Sequence, residues 1–441
     1  MAAGHLYLYK DILPVGFLGL VDDILGVTEA GEKAQKLNSL INLKTAEKTL
    51  QFGPTKCKTM LVGKNSKNVI NSGLLVDKWS ANYEENVQTG EAELVEMYSG
   101  QTEIENVTEQ KYLGFVLSST GDNMANIREI KKKSIGIVRT TITKLNSLNL
   151  KQYYFECSII MLNMMIRSSI LYASDMYYHL KETELRQLER IEESYLRQVL
   201  NTTKGCPINQ LYLSVGHYPA RFEIQKMRLL YLKYILHENK ESLLYKFFTL
   251  QLEMPSKGDW TSTCLKDLQE LRIKETLDEI RMMSNPQFSK LVKERIKENA
   301  FKYLVGKQGS KGSEIIHADL SMSDYLLPTN NELTVTEKQD LFAMKTRMVW
   351  IPSNFPKPEE DYYCVCGLRE DMRHIYNCEI MNNKQKPRHD YDKLFSGNIE
   401  EQIEVFRKFE INLERREIIT NENFPCDPHE IHCPRQSLVL G

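Results

Sequence analysis

The 441-residue chain reads as an α+β protein on three observations. Two short apolar runs, Val15–Leu20 and Ile24–Val27, flank adjacent carboxylates at Asp22 and Asp23, a pattern that predicts a hairpin. A helix, a turn and a strand are expected next, over residues 29–62. After residue 124, apolar side chains recur at helical spacing and strand signals nearly vanish.

The hairpin over residues 15–27 is expected to carry Asp22 and Asp23 at its tip. Two carboxylates held that close repel each other unless a cation sits between them, and a hard, oxygen-seeking ion such as magnesium suits the place. Aspartate is equally common in turns, where its side chain caps the local backbone, so the pair alone leaves both readings open. In residues 29–50, Ala34, Leu37, Ile41 and Ala46 form a helical stripe, with Lys33, Lys36, Lys44 and Lys48 outside it. Phe52-Gly53-Pro54-Thr55 ends that helix, and residues 57–62 alternate as a strand. Residues 63–110 are polar and rich in turns, with strand candidates at Leu74–Trp79 and Leu94–Tyr98. Lys111–Ser118 reads as one strand, closed by a turn at Thr120–Asn123.

The helical region opens with Ile127, Ile130, Ile137, Val138, Ile142 and Leu145 at helical intervals. Further helices are expected at 151–173, 181–200, 219–238, 242–252, 264–272 and 287–305, with a loop at Gly306–Gly312. The pattern divides the chain into an α+β part over 1–122, a helical part over 123–350, a cysteine- and histidine-containing segment over 351–395, and a C-terminal helix and tail over 396–441. The motif spacings do not repeat, which argues against a solenoid.

Composition excludes several classes. Apolar content of 41% and charged content of 26% are those of an ordinary globular protein. No apolar run reaches the roughly 18 residues of a membrane span. The stretch around Ile12–Val27 lacks the basic leader and small-residue cleavage site of a signal peptide. Nine cysteines in this length do not suggest a disulfide scaffold, so a reducing, intracellular compartment is expected, nuclear or cytoplasmic, with no address legible. Net charge is −2, yet residues 126–204 carry +5, a local basic stretch compatible with a phosphate-facing surface.

Four segments can carry chemistry beyond the aspartate pair. Lys56 and Lys58 flank Cys57; a lysine beside a metal site can screen or protonate a departing phosphate, and it is also what an edge strand shows to solvent. Arg128, Lys131, Lys132, Lys133, Arg139 and Lys144 lie on the first helix of the helical part, where a basic stripe opposite a packed face can track a phosphate backbone or simply be solvated. Glu184, Glu189, Glu192 and Glu193 alternate with Arg186–Arg197 and read as a helix surface laced with ion pairs. Cys364, Cys366, His374 and Cys378, spaced C-x-C-x7-H-x3-C, offer three soft thiolates and an imidazole for a tetrahedral zinc site. Cys426, His429, His432 and Cys433 form a second ligand-rich cluster, for which no metal, or only opportunistic binding, is expected because the adjacent His432 and Cys433 point in different directions on a strand or helix.

Taken in order, VGFLGLVDDILG, a helix, FGPTKCKTMLVG and KYLGFVLSSTGDN resemble the later palm motifs of LINE-type (non-LTR) retrotransposon reverse transcriptases, and the resemblance extends to about residue 415. It implies a partial palm over 1–122, a thumb and connecting region over 123–350 and a zinc knuckle over 351–395. It implies RNA-directed DNA polymerase activity in the intact enzyme, with an RNA template, a DNA primer and dNTP as partners and no membrane. Asp22 and Asp23 match the paired aspartates that hold Mg2+ (or Mn2+), and Lys56 matches the lysine near the incoming nucleotide's phosphates. Tyr112, Leu113 and Gly114 match the segment that grips the primer. Arg128, Lys131, Lys132 and Arg139 would face the template–primer minor groove, and Cys364, Cys366, His374 and Cys378 would bind Zn2+. Leu20 and Val21 stand where the family has an aromatic and a small residue. Only 21 residues precede Asp22, with Asp11 their sole acid, so the resemblance implies an N-terminally truncated copy lacking fingers and the first palm aspartate, inactive alone. The alternative is a non-catalytic RNA- or DNA-binding remnant that uses thumb and knuckle.

Overall fold

The computed structural model describes residues 16–20, 23–27, 35, 57–62, 75–85, 92–177, 180–255, 258–307, 315, 317–349, 351, 363–364, 366–382 and 390–423. The chain is mostly helical, with small antiparallel and parallel strand pairs between Gly16 and Ser118, an α+β composition. It divides into two compact units, Met1–Lys132 and Lys133–Gly441, and the division falls within a helix.

The first unit holds four two-stranded sheets. Strands β1 (Gly16–Leu20) and β2 (Asp23–Val27) pair antiparallel, Leu20 opposite Asp23 and Gly16 opposite Val27, giving the expected hairpin. Asp23 is therefore the first residue of β2, not part of the tip. Asp22, Lys56 and the expected helix over 29–50, except helical Gln35, lie outside the described residues. The strand expected over 57–62 shortens to β3 (Lys58–Thr59), parallel to β6 (Glu105–Asn106), and Lys58 pairs with Glu105. The two strand candidates further on grow into the long hairpin β4 (Leu75–Glu85) and β5 (Ala92–Glu103).

The single strand expected over Lys111–Ser118 is a hairpin: β7 (Glu109–Tyr112) and β8 (Phe115–Ser118) pair antiparallel, with Tyr112 opposite Phe115. Leu113 and Gly114 form its two-residue turn with φ of 47° and 85°. Positive φ at both central residues is the turn whose twist matches the flanking strands; leucine in the first position hides it from a sequence reading.

Helix α1 (Met124–Ser147) follows the expected turn. Asp122 accepts the Met124 N–H at 3.0 Å, and Asn126 accepts the Val116 N–H at 3.1 Å, joining the helix to β8. Ile127, Ile130, Val138 and Leu145 are buried and the basic residues lie on the exposed side. The helix expected over 151–173 is broken. A 3-10 turn leads into α2 (Tyr154–Met161), a π-helical stretch at Leu162–Arg167, then α3 (Ser168–Ile170). The wider π turn lets both Ile166 and Arg167 face inward.

Helices α4 (Glu182–Val199), α5 (Ile208–Ser214), α6 (Ala220–His237), α7 (Leu243–Glu253), α8 (Trp260–Glu270), α9 (Leu277–Met282), α10 (Asn285–Gly306) and α11 (Val335–Lys345) build the body of the second unit. α6 is central and packs on α4, α7, α8, α9 and α10. Its Arg228 donates to Asp267 at 2.6 Å and to the Tyr177 carbonyl at 2.7 Å, and its Lys233 donates to the Arg281 carbonyl at 2.9 Å at the end of α9. α5, α9 and α11 are additional to the expected helices. For α9 and α11 the signal was present: Thr276 with Glu279, and Thr334 with Glu337, are reciprocal capping boxes.

The acidic run on α4 corrects its sequence reading. Glu184, Glu189, Glu192 and Glu193 are buried, not solvated. Arg221 from α6 pairs with Glu189, and Arg167 from the π-helical stretch pairs with Glu192. Charges can enter a core only when paired; the expected pairing within the helix is present, Arg186 with Glu189 and Glu193, and the remote Arg221 and Arg167 are added to it. Among the described residues, no helix is long and apolar enough to cross a membrane.

Candidate metal centre

The second unit closes with α12 (Met372–Asn377), α13 (Lys393–Ser396) and α14 (Ile399–Asn423). Before α12 the chain makes a tight knuckle. The Cys364 N–H donates to the Leu368 carbonyl at 2.8 Å, and the Gly367 N–H donates to the Cys364 carbonyl at 2.7 Å. Gly367 takes φ of 85°, with open space where a Cβ would stand. Asp371 then caps α12 by accepting the His374 N–H at 2.7 Å. His374 and Cys378 are four residues apart, the spacing that puts side chains on one helix face.

Knuckle and helix bring Cys364, Cys366, His374 and Cys378 together, with ligand atoms all within 4.8 Å of one another. Cys364 Sγ and Cys378 Sγ are 3.8 Å apart, and Cys366 Sγ and His374 Nε2 are 3.3 Å apart. Metal–sulfur bonds of about 2.3 Å in a tetrahedron put sulfurs about 3.8 Å from each other; the Cys364–Cys378 pair has that separation, and the four groups together could hold a metal ion. Cys364 and Cys378 are buried, and Cys366 and His374 are half-buried. Burial, with Cys378 and Cys366 adjacent, pushes the Cys364 thiol up to about 12; a bound cation removes that penalty because thiolate is the ligand form. The one-residue gap between the first two cysteines does not keep them apart, because Gly367 permits the reversal immediately after Cys366.

A polar layer fixes the ligand-bearing backbone. Asn412 of α14, fully buried, donates through Nδ2 to the carbonyls of Ile375 and Tyr376, each at 3.0 Å. Asn382 donates to the Cys378 carbonyl at 2.8 Å, and Arg415 donates to the Met381 carbonyl at 2.7 Å. Lys408 stands 4.0 Å from the centre of the Tyr376 ring. Sequence reading missed these residues. Asparagines at 382 and 412, otherwise ordinary, become informative only beside the carbonyls they meet.

The remaining expected site residues are placed less closely. Tyr112, Leu113 and Gly114 sit at the β7–β8 turn. Lys131, Lys132 and Arg139 are exposed on α1, whereas Arg128 donates to Glu109 at 2.5 Å. Asp23 is on β2; Asp22, Lys56 and the cluster Cys426, His429, His432 and Cys433 lie outside the described residues. No protein-family model matches the chain, no curated protein matches it, and no solved structure matches it.

Proposed function

We propose that this chain is part of the RNA-directed DNA polymerase of a LINE-type retrotransposon and that its helical region and Cys/His segment hold nucleic acid. The observation that carries the reading is the convergence of Cys364, Cys366, His374 and Cys378 on one tetrahedral-sized space, late in a chain whose earlier motifs resemble a polymerase palm. Three thiolates and one imidazole select zinc over harder ions. The exposed Lys131, Lys132 and Arg139 on one continuous helix add cationic charge suited to phosphates. In this reading Asp22 and Asp23 are the residues that would hold magnesium (or manganese), Lys56 would neutralise the dNTP phosphates, and the Tyr112–Gly114 turn would rest against the primer. The intact enzyme would join a primer 3′ oxygen to the α-phosphorus of a dNTP and release pyrophosphate.

The test is fluorescence anisotropy with a labelled RNA–DNA hybrid. Affinity is expected to fall as salt rises from 50 to 200 mM and to drop at least tenfold in Lys131→Glu/Lys132→Glu/Arg139→Glu. A flat titration at 50 mM salt sinks the proposal. Primer extension with magnesium forms the second arm. Extension lost in Asp22→Ala supports catalysis, whereas binding retained without any extension supports the non-catalytic binder.

A further inference from the structure

A cavity of about 500 Å³ opens in the second unit where the π-helical stretch meets the connection between α5 and α6. Gly216 shapes that connection. It adopts φ of 66°, and a Cβ on it would stand 2.3 Å from the Met322 nitrogen, so α5 turns sharply and the next residue, His217, is directed into the cavity wall. His217 is nine-tenths buried, its Nε2 has no hydrogen-bond partner among the described residues, and its ring stacks on Tyr218 at 5.4 Å. A buried imidazole nitrogen without a partner is a cost that a ligand's polar group removes by reaching it.

The neighbours define what enters. Arg167 and Lys226 line the same cavity; burial holds the His217 pKa well below the ordinary histidine value, and these two positive charges add to it. Arg167 uses Nε on Glu192 and Nη2 on the Tyr218 carbonyl, and its Nη1 lies 3.9 Å from Glu223. Lys226 pairs with Glu223, leaving two of its three ammonium hydrogens uncommitted to that contact. Glu223 is the acid in the lining and is shared among Lys226, Arg167 and the Tyr218 hydroxyl. At the imidazole itself the field is positive, and an anionic oxygen is the group that field favours. Leu171 and Met227 complete the wall with apolar surface. The cavity exceeds what a lone oxyanion fills and suits one carrying a flat organic body.

We propose that this cavity binds a nucleoside monophosphate, free or as the 5′ end of a strand, with its phosphate between His217 and Lys226 and its base against Leu171 and Met227. The cavity keeps this ligand chemistry whether or not the chain belongs to a polymerase. Isothermal titration of the full chain with AMP is expected to give saturable binding. Adenosine should bind at least tenfold more weakly, and so should AMP to Lys226→Met or His217→Phe. The Lys226 side chain is mostly buried beside Glu223, and methionine keeps its unbranched length, so Lys226→Met tests the site even where His217→Phe lowers stability. AMP binding no tighter than adenosine, or unchanged in Lys226→Met, overturns the proposal. A decanucleotide that competes with AMP only when 5′-phosphorylated assigns a strand end, and absence of competition by either form assigns the free nucleotide. Competition by the 5′-hydroxyl form at equal strength would mean that backbone charge alone is read, and counts against the site.

Discussion

Arg167 donates its Nε–H to Glu192 at 2.6 Å, with side chains 5% and 0% exposed, and this pair joins the π-helical stretch to α4 inside the second unit. Glu192 also accepts from the Tyr212 hydroxyl at 3.1 Å and from the Ala220 N–H at 2.8 Å, at the start of α6. One carboxylate thus ties α4, α5 and α6 to the helix that carries Arg167.

Removing one member should cost more than neutralising both. Glu192→Ala is expected to destabilise by about 3 kcal/mol, because it removes the close carboxylate of a buried guanidinium and leaves it only Glu223 at 3.9 Å. Arg167→Met/Glu192→Gln keeps an acceptor for Tyr212 and Ala220 and should lose less than the two single changes combined. Urea unfolding of Arg167→Met, Glu192→Gln and the double variant measures the coupling; strict additivity would show that the pair is not interacting.

Two glycines with positive φ should respond differently to alanine. At Gly216 the added methyl meets Met322 backbone at 2.3 Å, and at Gly367 it meets nothing within 4 Å. Gly367→Ala is expected to cost about 1 kcal/mol from backbone strain. Gly216→Ala should cost at least twice that. Equal melting temperatures for the two variants would contradict the close approach of Gly216 to the Met322 backbone.

Metal content should be one zinc per chain by mass spectrometry, and Cys366→Ser should reduce it well below one. Asn412→Leu strips two buried carbonyls of their donor, a loss of about 2 kcal/mol, and should weaken zinc affinity about tenfold by releasing α12. Competition with a chromophoric chelator reads the affinity. Unchanged affinity would limit Asn412 to packing.

Stability should fall on acidification below the ordinary histidine range. His317, whose Nε2 lies 3.0 Å from the Gln210 Oε1, is pushed down to about 4 by burial, with Lys345 adding to it. Between about 6.5 and 4 the unfolded chain binds a proton that the folded chain does not, so stability is full above 6.5 and is lost as pH falls, at no more than about 1.4 kcal/mol per unit. His317→Gln should flatten that slope in urea titrations from pH 7 to 4.5. An unaltered slope would place the proton uptake elsewhere, His217 being the next group to examine.

The predicted nucleic-acid helix also has an internal order. Arg128 is neutralised by Glu109, so Arg128→Ala should weaken hybrid binding less than Lys132→Ala. Anisotropy at 50 mM salt compares them, and the reverse order would show that Glu109 releases Arg128 on binding.

By itself the sequence determined the features that arise from near neighbours. Apolar runs around Asp22 and Asp23 specify the β1–β2 hairpin, helical periodicity specifies α1, α4, α6 and α10, and the spacing from Cys364 to Cys378 brings four ligands within reach of one another. Periodicity and short-range spacing are local properties, which is why they are legible in one dimension. Tertiary structure decided what depends on partners far along the chain. It turned Glu189 and Glu192 from a solvated stripe into buried acids, because Arg221 and Arg167 arrive from other helices. It made Leu113 a turn residue, set Asn412 behind the Cys/His cluster, and placed His217 against Arg167 and Lys226. Burial and charge pairing are fixed by which helices meet, and no spacing along the chain encodes that.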